Sequence, residues 1–297
     1  MNRCRANGNR MLWRACPIWY DQGKQWHNPA GHPHLSWKEE CKAMTQIAAQ
    51  LYTLRNEMQT PEQIDRGFAR LASDGWKAVQ ASGLGPIQTV ELKALADKHG
   101  LEICATHIGY ERLLDDLGNV LKDHEILGCR YIGLGAMPAQ FRRSEEGFEA
   151  FARIITAVAE RIHGAGHTFV YHNHNFEFVR FGRRTGMDIL LERCGEAVQF
   201  EPDTYWIQAG GGDVAHWLSR MAGRMDVVHF KDMVYEPEEG EPVMAEVGEG
   251  NLNWPAILIA CAKAQVRWHI VEQDTCRRDP FDSLAISLRN LKAMGLE

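Results

Sequence analysis

The sequence predicts an α/β fold, a single-domain (β/α)8 TIM barrel, and three observations support this prediction. Short apolar segments alternate with longer amphipathic segments eight times within about 250 residues, the size of one such barrel. Most connections are short, and the long ones follow strands, where a barrel carries its active-site loops. Four successive strands, the fifth to the eighth, end in histidine, aspartate or glutamate.

The regular alternation of strands and helices starts at Thr45, with the first of four strand–helix units in the first half of the barrel. The helix predicted over residues 61–73 begins with proline and has apolar residues at helical spacing. Helices over 89–99 and 113–127 each precede a glycine, which favours a helix end. The strands of these units are predicted over residues 47–54, 76–81, 101–107 and 130–134, and the fourth helix over 144–163.

The second half of the chain repeats the pattern. The fifth strand begins at Thr168, and its apolar residues lead directly into His172 and His174. The later strands are predicted over residues 198–203, 227–232 and 268–274, and the helices over 187–194, 213–222, 254–264 and 280–294. Because side chains alternate along a strand, Val170, His172 and His174 are expected to point into the barrel, with Phe169 and Tyr171 outside.

Side chains at the strand ends suggest a metal site. Asp203, His229 and Glu272 follow three consecutive strands, and His172 follows the strand before them. A single histidine at a strand end is more often structural, but four neighbouring strands with such ends favour a shared site. A mixed nitrogen and oxygen set suits Mn²⁺, Mg²⁺, Co²⁺ or Zn²⁺.

Several motifs resemble the sugar phosphate isomerase/epimerase family, part of the xylose isomerase-like TIM barrel superfamily, near its inosose dehydratase-like branch. They are Gln50–Arg55, Tyr171–His174, Asp203–Trp206, His229–Asp232, Val247–Gly250 and Glu272–Asp274, and together they place the resemblance over residues 45–297. The resemblance implies one divalent ion held by glutamate, aspartate, histidine and glutamate from strands five to eight. Asp203, His229 and Glu272 match three of these positions.

The fourth ligand position departs from the family pattern. His172 stands where many relatives have glutamate, and His174 lies one step nearer the rim. Glu201, two residues before Asp203 on the same face, is an alternative carboxylate. The sequence leaves the choice among these three open.

The resemblance implies a sugar or sugar phosphate isomerase or epimerase that removes a proton beside a carbonyl, with a metal-stabilised enediolate. Glu272 is the expected base, and His172 or Glu201 is the expected second acid/base group. A lyase that dehydrates a keto-inositol or 3-keto-sugar is the first alternative. An endonuclease IV-like phosphodiesterase and a non-catalytic binding barrel are further alternatives.

A small polyhydroxylated substrate is expected at the same rim. Candidate contacts near the ends of strands one to three are Gln50, Gln80 and His107. Further candidates are His174, Trp206, whose ring can stack on a sugar, and Lys231, which can bind an oxyanion.

Composition narrows the class of protein. The formal net charge of −6 and the pI near 6.1 argue against a nucleic-acid partner. The longest apolar runs are too short for a membrane span. Eight cysteines without a CxxC pair are expected to be reduced, as in a cytoplasmic protein, and a homo-oligomer is possible.

Residues 1–43 do not conform to the barrel pattern, because they lack sustained periodicity. We expect this extension to be disordered or not native. Lys38, Glu39 and Glu40 are residues that a purine-rich ribosome-binding site would encode, which makes Met44 the expected native start.

Overall fold

A computed structural model describes residues 46–296. Eight parallel strands form one sheet and carry the labels β1 to β8 in chain order: Gln46–Gln50, Ala78–Ala81, Glu102–His107, Tyr131–Leu134, Thr168–His172, Val198–Glu201, Val227–Phe230 and Trp268–Val271. Their order in the sheet is β6, β5, β4, β3, β2, β1, β8, β7. A parallel bridge between Asp203 and His229 joins the β6 and β7 ends, so the barrel closes beside the candidate ligands.

Helices follow the strands and surround the barrel. The eight principal helices carry the labels α1 to α8: Pro61–Asp74, Thr89–Lys98, Leu117–Leu127, Glu145–Gly164, Gly186–Arg193, Val214–Arg220, Trp254–Lys263 and Pro280–Ala293. The alternation of strands and helices confirms the predicted TIM barrel. None of the helices in the described part of the chain has the length and hydrophobicity needed to cross a membrane.

Local sequence explains where the helices begin and end. Thr60 caps α1 by accepting from the Gln63 amide, and Gln63 caps the Thr60 amide in return. The helix ends at Gly75, whose φ of 98° lies in the left-handed region that glycine adopts without strain. Ser144 caps α4 as the sequence predicts.

The predicted alternation along β5 is confirmed. Val170 packs inside the barrel against small and apolar residues of the other strands, whereas Phe169 and Tyr171 belong to the outer core beneath the helices. The side chain of His172 continues the inner row. The register of this strand therefore directs the first candidate ligand to the barrel mouth.

Several predicted elements differ from the observed ones. The strand predicted over residues 47–54 ends at Gln50, because the Gln50 side chain accepts from the Tyr52 amide and starts a 3₁₀ turn over Leu51–Leu54. The helix predicted over 113–127 breaks at Asp116, where φ is −133°. The connection between the strand predicted over 227–232 and the helix predicted over 254–264 contains an antiparallel hairpin, Asp232–Glu236 with Glu241–Ala245. The expectations for residues 1–43 and Met44 concern positions outside the described residues.

Candidate metal centre

Four side chains at consecutive strand ends converge on one point. One ligand-type atom each from His172, Asp203, His229 and Glu272 lies within 4.8 Å of the others, and all four residues are buried. They come from the C-terminal ends of β5, β6, β7 and β8. The structure thus brings together the four residues that the sequence predicts as metal ligands.

Hydrogen bonds orient two of these candidate ligands. His172 Nδ1 donates to the Gly135 carbonyl at 2.9 Å, which leaves Nε2 as the lone-pair atom facing Asp203 Oδ2 at 3.2 Å. Asp203 Oδ1 accepts from the Trp206 amide at 2.9 Å as the cap of the short helix Thr204–Ala209. Oδ2 therefore remains directed toward the cluster.

His229 is fixed from the opposite side. Its Nε2 lies 2.6 Å from Gln80 Oε1 and 3.1 Å from Glu201 Oε1, and both oxygens can only accept, so Nε2 carries the proton. Its Nδ1 faces the centre, 2.9 Å from Glu272 Oε2 and 3.8 Å from Asp203 Oδ2. A histidine whose second nitrogen donates to a carboxylate is the usual arrangement at metal sites.

Lys231 supplies a buried positive charge beside the cluster. Its ammonium lies 3.2 Å from Asp203 Oδ2, 2.7 Å from Glu272 Oε2 and 2.8 Å from Asp274 Oδ2. Burial alone would lower the pKa of Lys231, but these three carboxylates raise it above its usual value. Burial would raise the pKa of Glu272, yet Lys231 and His229 hold it well below its usual range.

The charges of the cluster suit a divalent cation. With neutral histidines, the cluster and its neighbours carry four buried or half-buried carboxylates (Glu201, Asp203, Glu272 and Asp274) against the ammonium of Lys231, an excess of three negative charges. Burial opposes a charge on His229, but the neighbouring carboxylates of Glu201 and Glu272 raise its pKa to about 10. The donor set and its electrostatics therefore fit a divalent metal.

A cavity of about 730 Å³ opens above the cluster. Among the predicted catalytic and metal residues, His172 and Glu272 reach its wall, and among the predicted substrate contacts, His107, His174 and Trp206 do. Burial, together with His172 and Lys231, lowers the pKa of His174 to about 2, so its ring is neutral.

The remaining predicted residues lie behind the cavity wall. Gln50, Gln80 and Glu201 are fully buried and form a chain of hydrogen bonds: Gln50 Nε2 donates to Gln80 Oε1 at 2.7 Å, and Gln80 Nε2 donates to Glu201 Oε1 at 2.8 Å. Lys231 is 1% exposed and does not line the cavity, so its ammonium is shielded from solvent. The roles predicted for these side chains in substrate binding and proton transfer stay predictions.

Several cavity residues are not among the site residues predicted from the sequence. Asp274 pairs with Lys231, and Arg55 and Arg142 also line the cavity. Alternation along the strand end could have identified Asp274, which lies two residues beyond Glu272 on the same face. Arg55 ends the Gln50–Arg55 motif after β1, whereas no comparable pattern marks Arg142, which comes from the loop after β4.

A closed parallel barrel with histidine and carboxylate side chains converging at the ends of its last four strands defines a class of barrel proteins with one buried candidate metal site. The chain belongs to the xylose isomerase-like TIM barrel family, whose profile matches residues 68–293.

Individual relatives agree with this assignment. The chain is 27% identical over 268 residues to the rhizopine catabolism protein MocC of Rhizobium meliloti, covering 78% of this chain and 82% of that protein. A sugar phosphate isomerase/epimerase from Parabacteroides distasonis superposes with a TM-score of 0.71 at 20% identity, over 85% of this chain and 100% of that one.

A second solved structure with a similar fold is that of the probable 3-DHS dehydratase AsbF, involved in petrobactin synthesis, from Bacillus anthracis. It superposes with a TM-score of 0.62 at 12% identity, over 84% of this chain and 99% of that one. At these identities the two solved structures establish a shared fold.

Proposed function

We propose that the protein is a divalent-metal-dependent isomerase or epimerase of a small sugar or related polyol, acting by proton removal next to a carbonyl. The convergence of His172, Asp203, His229 and Glu272 beneath an open cavity carries this proposal. A divalent cation at this site would polarise a carbonyl and stabilise negative charge developing beside it. The structural similarity to a sugar phosphate isomerase/epimerase supports an isomerase or epimerase reaction.

Glu272 is the residue best placed to take the proton. It belongs to the ligand cluster and also lines the cavity, and Lys231 and His229 keep its carboxylate ionised. An ionised carboxylate at the floor of a cavity can accept a proton from a substrate carbon bound above it. Lys231 then stabilises the site by holding Glu272 in one position through a 2.7 Å contact.

Two cavity residues are suited to hydroxyl recognition. His174 Nδ1 and Trp206 Nε1 are buried and have no hydrogen-bond partner among the described residues. Their rings lie 5.3 Å apart at the cavity wall. Buried polar atoms are normally paired, so these two atoms are available for the hydroxyl groups of a bound polyol.

One observation favours a lyase as the second candidate. Glu272 and Asp274 both line the cavity, both contact Lys231, and both follow β8, so these two carboxylates lie on one side of the cluster. Epimerisation needs an acid/base group on each face of the carbon, whereas removal of a proton and a hydroxide from the same face does not. The probable dehydratase among the structural relatives belongs to this reaction class.

Solvent deuterium exchange separates these reactions. The purified protein would be loaded with Mn²⁺, Mg²⁺, Co²⁺ or Zn²⁺ and incubated in D₂O with unphosphorylated and phosphorylated ketoses and with keto-inositols. Deuterium uptake without loss of water supports the isomerase, and loss of water supports the lyase. Binding of none of these metals and reaction with none of these compounds would contradict both proposals, and Glu272→Gln serves as the inactive control.

A further inference from the structure

A buried carboxylate, Glu201, lies directly behind the candidate metal centre. It is inaccessible to solvent, and its two oxygens receive different donors. Oε1 accepts from Gln80 Nε2 at 2.8 Å and lies 3.1 Å from His229 Nε2. Oε2 lies 2.7 Å from His107 Nε2. One carboxylate therefore connects a candidate metal ligand with a residue of the cavity wall.

These contacts determine which ring nitrogens carry protons. An ionised carboxylate only accepts hydrogen bonds, so His107 and His229 both present Nε2–H to Glu201. The second nitrogen of each ring is then directed elsewhere. His229 Nδ1 faces the ligand cluster, and His107 Nδ1 has no hydrogen-bond partner among residues 46–296, while its ring lines the cavity.

We propose that Glu201 is a positioning residue that sets the tautomers of both histidines, so that His229 offers Nδ1 to the metal and His107 offers Nδ1 as an acceptor to a substrate hydroxyl. The inference rests on the proposed function, because it assumes a metal at the cluster and a hydroxylated ligand in the cavity. With His107 Nδ1 as an acceptor, the cavity wall prefers a ligand that presents a hydrogen-bond donor to this atom.

An amide at position 201 would distinguish the effect of Glu201 on the His107 tautomer from its effect on metal binding by His229. A glutamine has the same size but only one accepting oxygen, and its NH₂ group donates. Because two donors meet Oε1 and one meets Oε2, the amide oxygen of Glu201→Gln is expected to face Gln80 and His229. Its NH₂ group would then face His107 Nε2, which must become the acceptor, and the His107 proton would move to Nδ1.

The test is ¹⁵N NMR of the full chain labelled at its histidines, with Zn²⁺ as the diamagnetic ion. We expect Nε2–H on both His107 and His229 in the zinc-loaded wild type. In Glu201→Gln, His107 should switch to Nδ1–H, and zinc affinity should fall by about 10- to 100-fold, the usual effect of losing such a partner. Glu246→Gln is the matched control, because Glu246 is a buried carboxylate that contacts Ser283 and Arg278 instead of a histidine.

The outcomes separate this inference from the proposed function. A wild-type His107 protonated on Nδ1 would overturn the inference without any variant, so the test stands even where Glu201→Gln fails to fold. A folded Glu201→Gln with wild-type zinc affinity and an unchanged His107 tautomer would also overturn it. A wild type that binds no divalent ion would instead contradict the proposed function.

Discussion

The ammonium of Lys231 lies 2.7 Å from the Glu272 carboxylate, with both residues almost fully buried at the ends of neighbouring strands β7 and β8. Asp203 lies at 3.2 Å from the same ammonium. One lysine therefore contacts two of the four candidate metal ligands. This arrangement leaves Glu272 charged although it is buried, which is the state required both of a ligand and of a base.

Removal of this cation should destabilise the metal-free protein. Replacing one partner of a buried ion pair leaves the other charge uncompensated and costs about 3–5 kcal/mol. We expect Lys231→Met to lower the free energy of unfolding of chelator-treated protein by that amount in urea titrations at pH 7. The exposed Lys263→Met on α7 is the control and should change it by less than about 0.5 kcal/mol. Equal stabilities of the two variants would contradict the structural role of Lys231.

Glu272→Gln should abolish proton exchange. The amide has nearly the same shape but cannot accept a proton at neutral pH, so we expect the rate of deuterium exchange at saturating metal to fall by at least about 1,000-fold. The rate would be followed by NMR with the sugar that the wild type labels. A variant that retains bound metal and exchanges at the wild-type rate would show that another residue is the base.

Trp206 should contribute to substrate affinity through its indole N–H as well as its ring. Trp206→Phe keeps an aromatic face but removes Nε1–H. The lost hydrogen bond should weaken substrate binding by about 1 kcal/mol, which corresponds to roughly a fivefold increase in KM. Trp206→Ala removes both contributions and should increase KM further. Steady-state kinetics with kcat measured separately would test this, and unchanged KM in both variants would exclude Trp206 from the binding site.

The free energy of unfolding should depend on pH through His124, a histidine remote from the cluster. His124 on α3 is buried, with Nδ1 donating to the Val120 carbonyl and Nε2 bonded to Thr106, and burial lowers its pKa from 6.5 to about 4. The unfolded chain therefore binds a proton at a higher pH than the folded one. His124 should lower the free energy of unfolding by up to about 3 kcal/mol as the pH falls from 6.5 to 4.

The comparison with His124→Gln isolates this contribution. Glutamine has a donor and an acceptor but does not titrate, so the unfolding free energy of the variant should decrease less between pH 7 and pH 4. Urea titrations across this range would measure both proteins. Parallel pH profiles would show that His124 is not held neutral by the fold.

Much of the site follows from the sequence because a parallel barrel brings all its strand ends to one rim. Alternation along β5 correctly placed Val170 inside the barrel and Phe169 outside it. The same rule directs His172 to the mouth. The order of the strands along the chain then makes His172, Asp203, His229 and Glu272 neighbours without any knowledge of the detailed packing.

The hydrogen-bond network behind the site is not predictable in this way. Gln80 contacts Glu201 across 121 positions, and His107 contacts Glu201 across 94 positions. These contacts cross the barrel interior and depend on the relative heights of strands that are not adjacent. Neither spacing nor residue type distinguishes such a buried network from a row of substrate contacts, so the sequence predicts Gln50 and Gln80 as candidates for the cavity wall.

The measurement that tests the central claim most directly is the metal content and affinity of the wild type against Asp203→Asn. The asparagine keeps the oxygen that caps the Trp206 amide and removes only the charge of the ligand. After dialysis against each divalent metal, elemental analysis should find one ion per chain in the wild type and at least about 100-fold weaker binding in the variant. A wild type without a stoichiometric ion, or a folded Asp203→Asn that binds the ion equally well, would contradict the account.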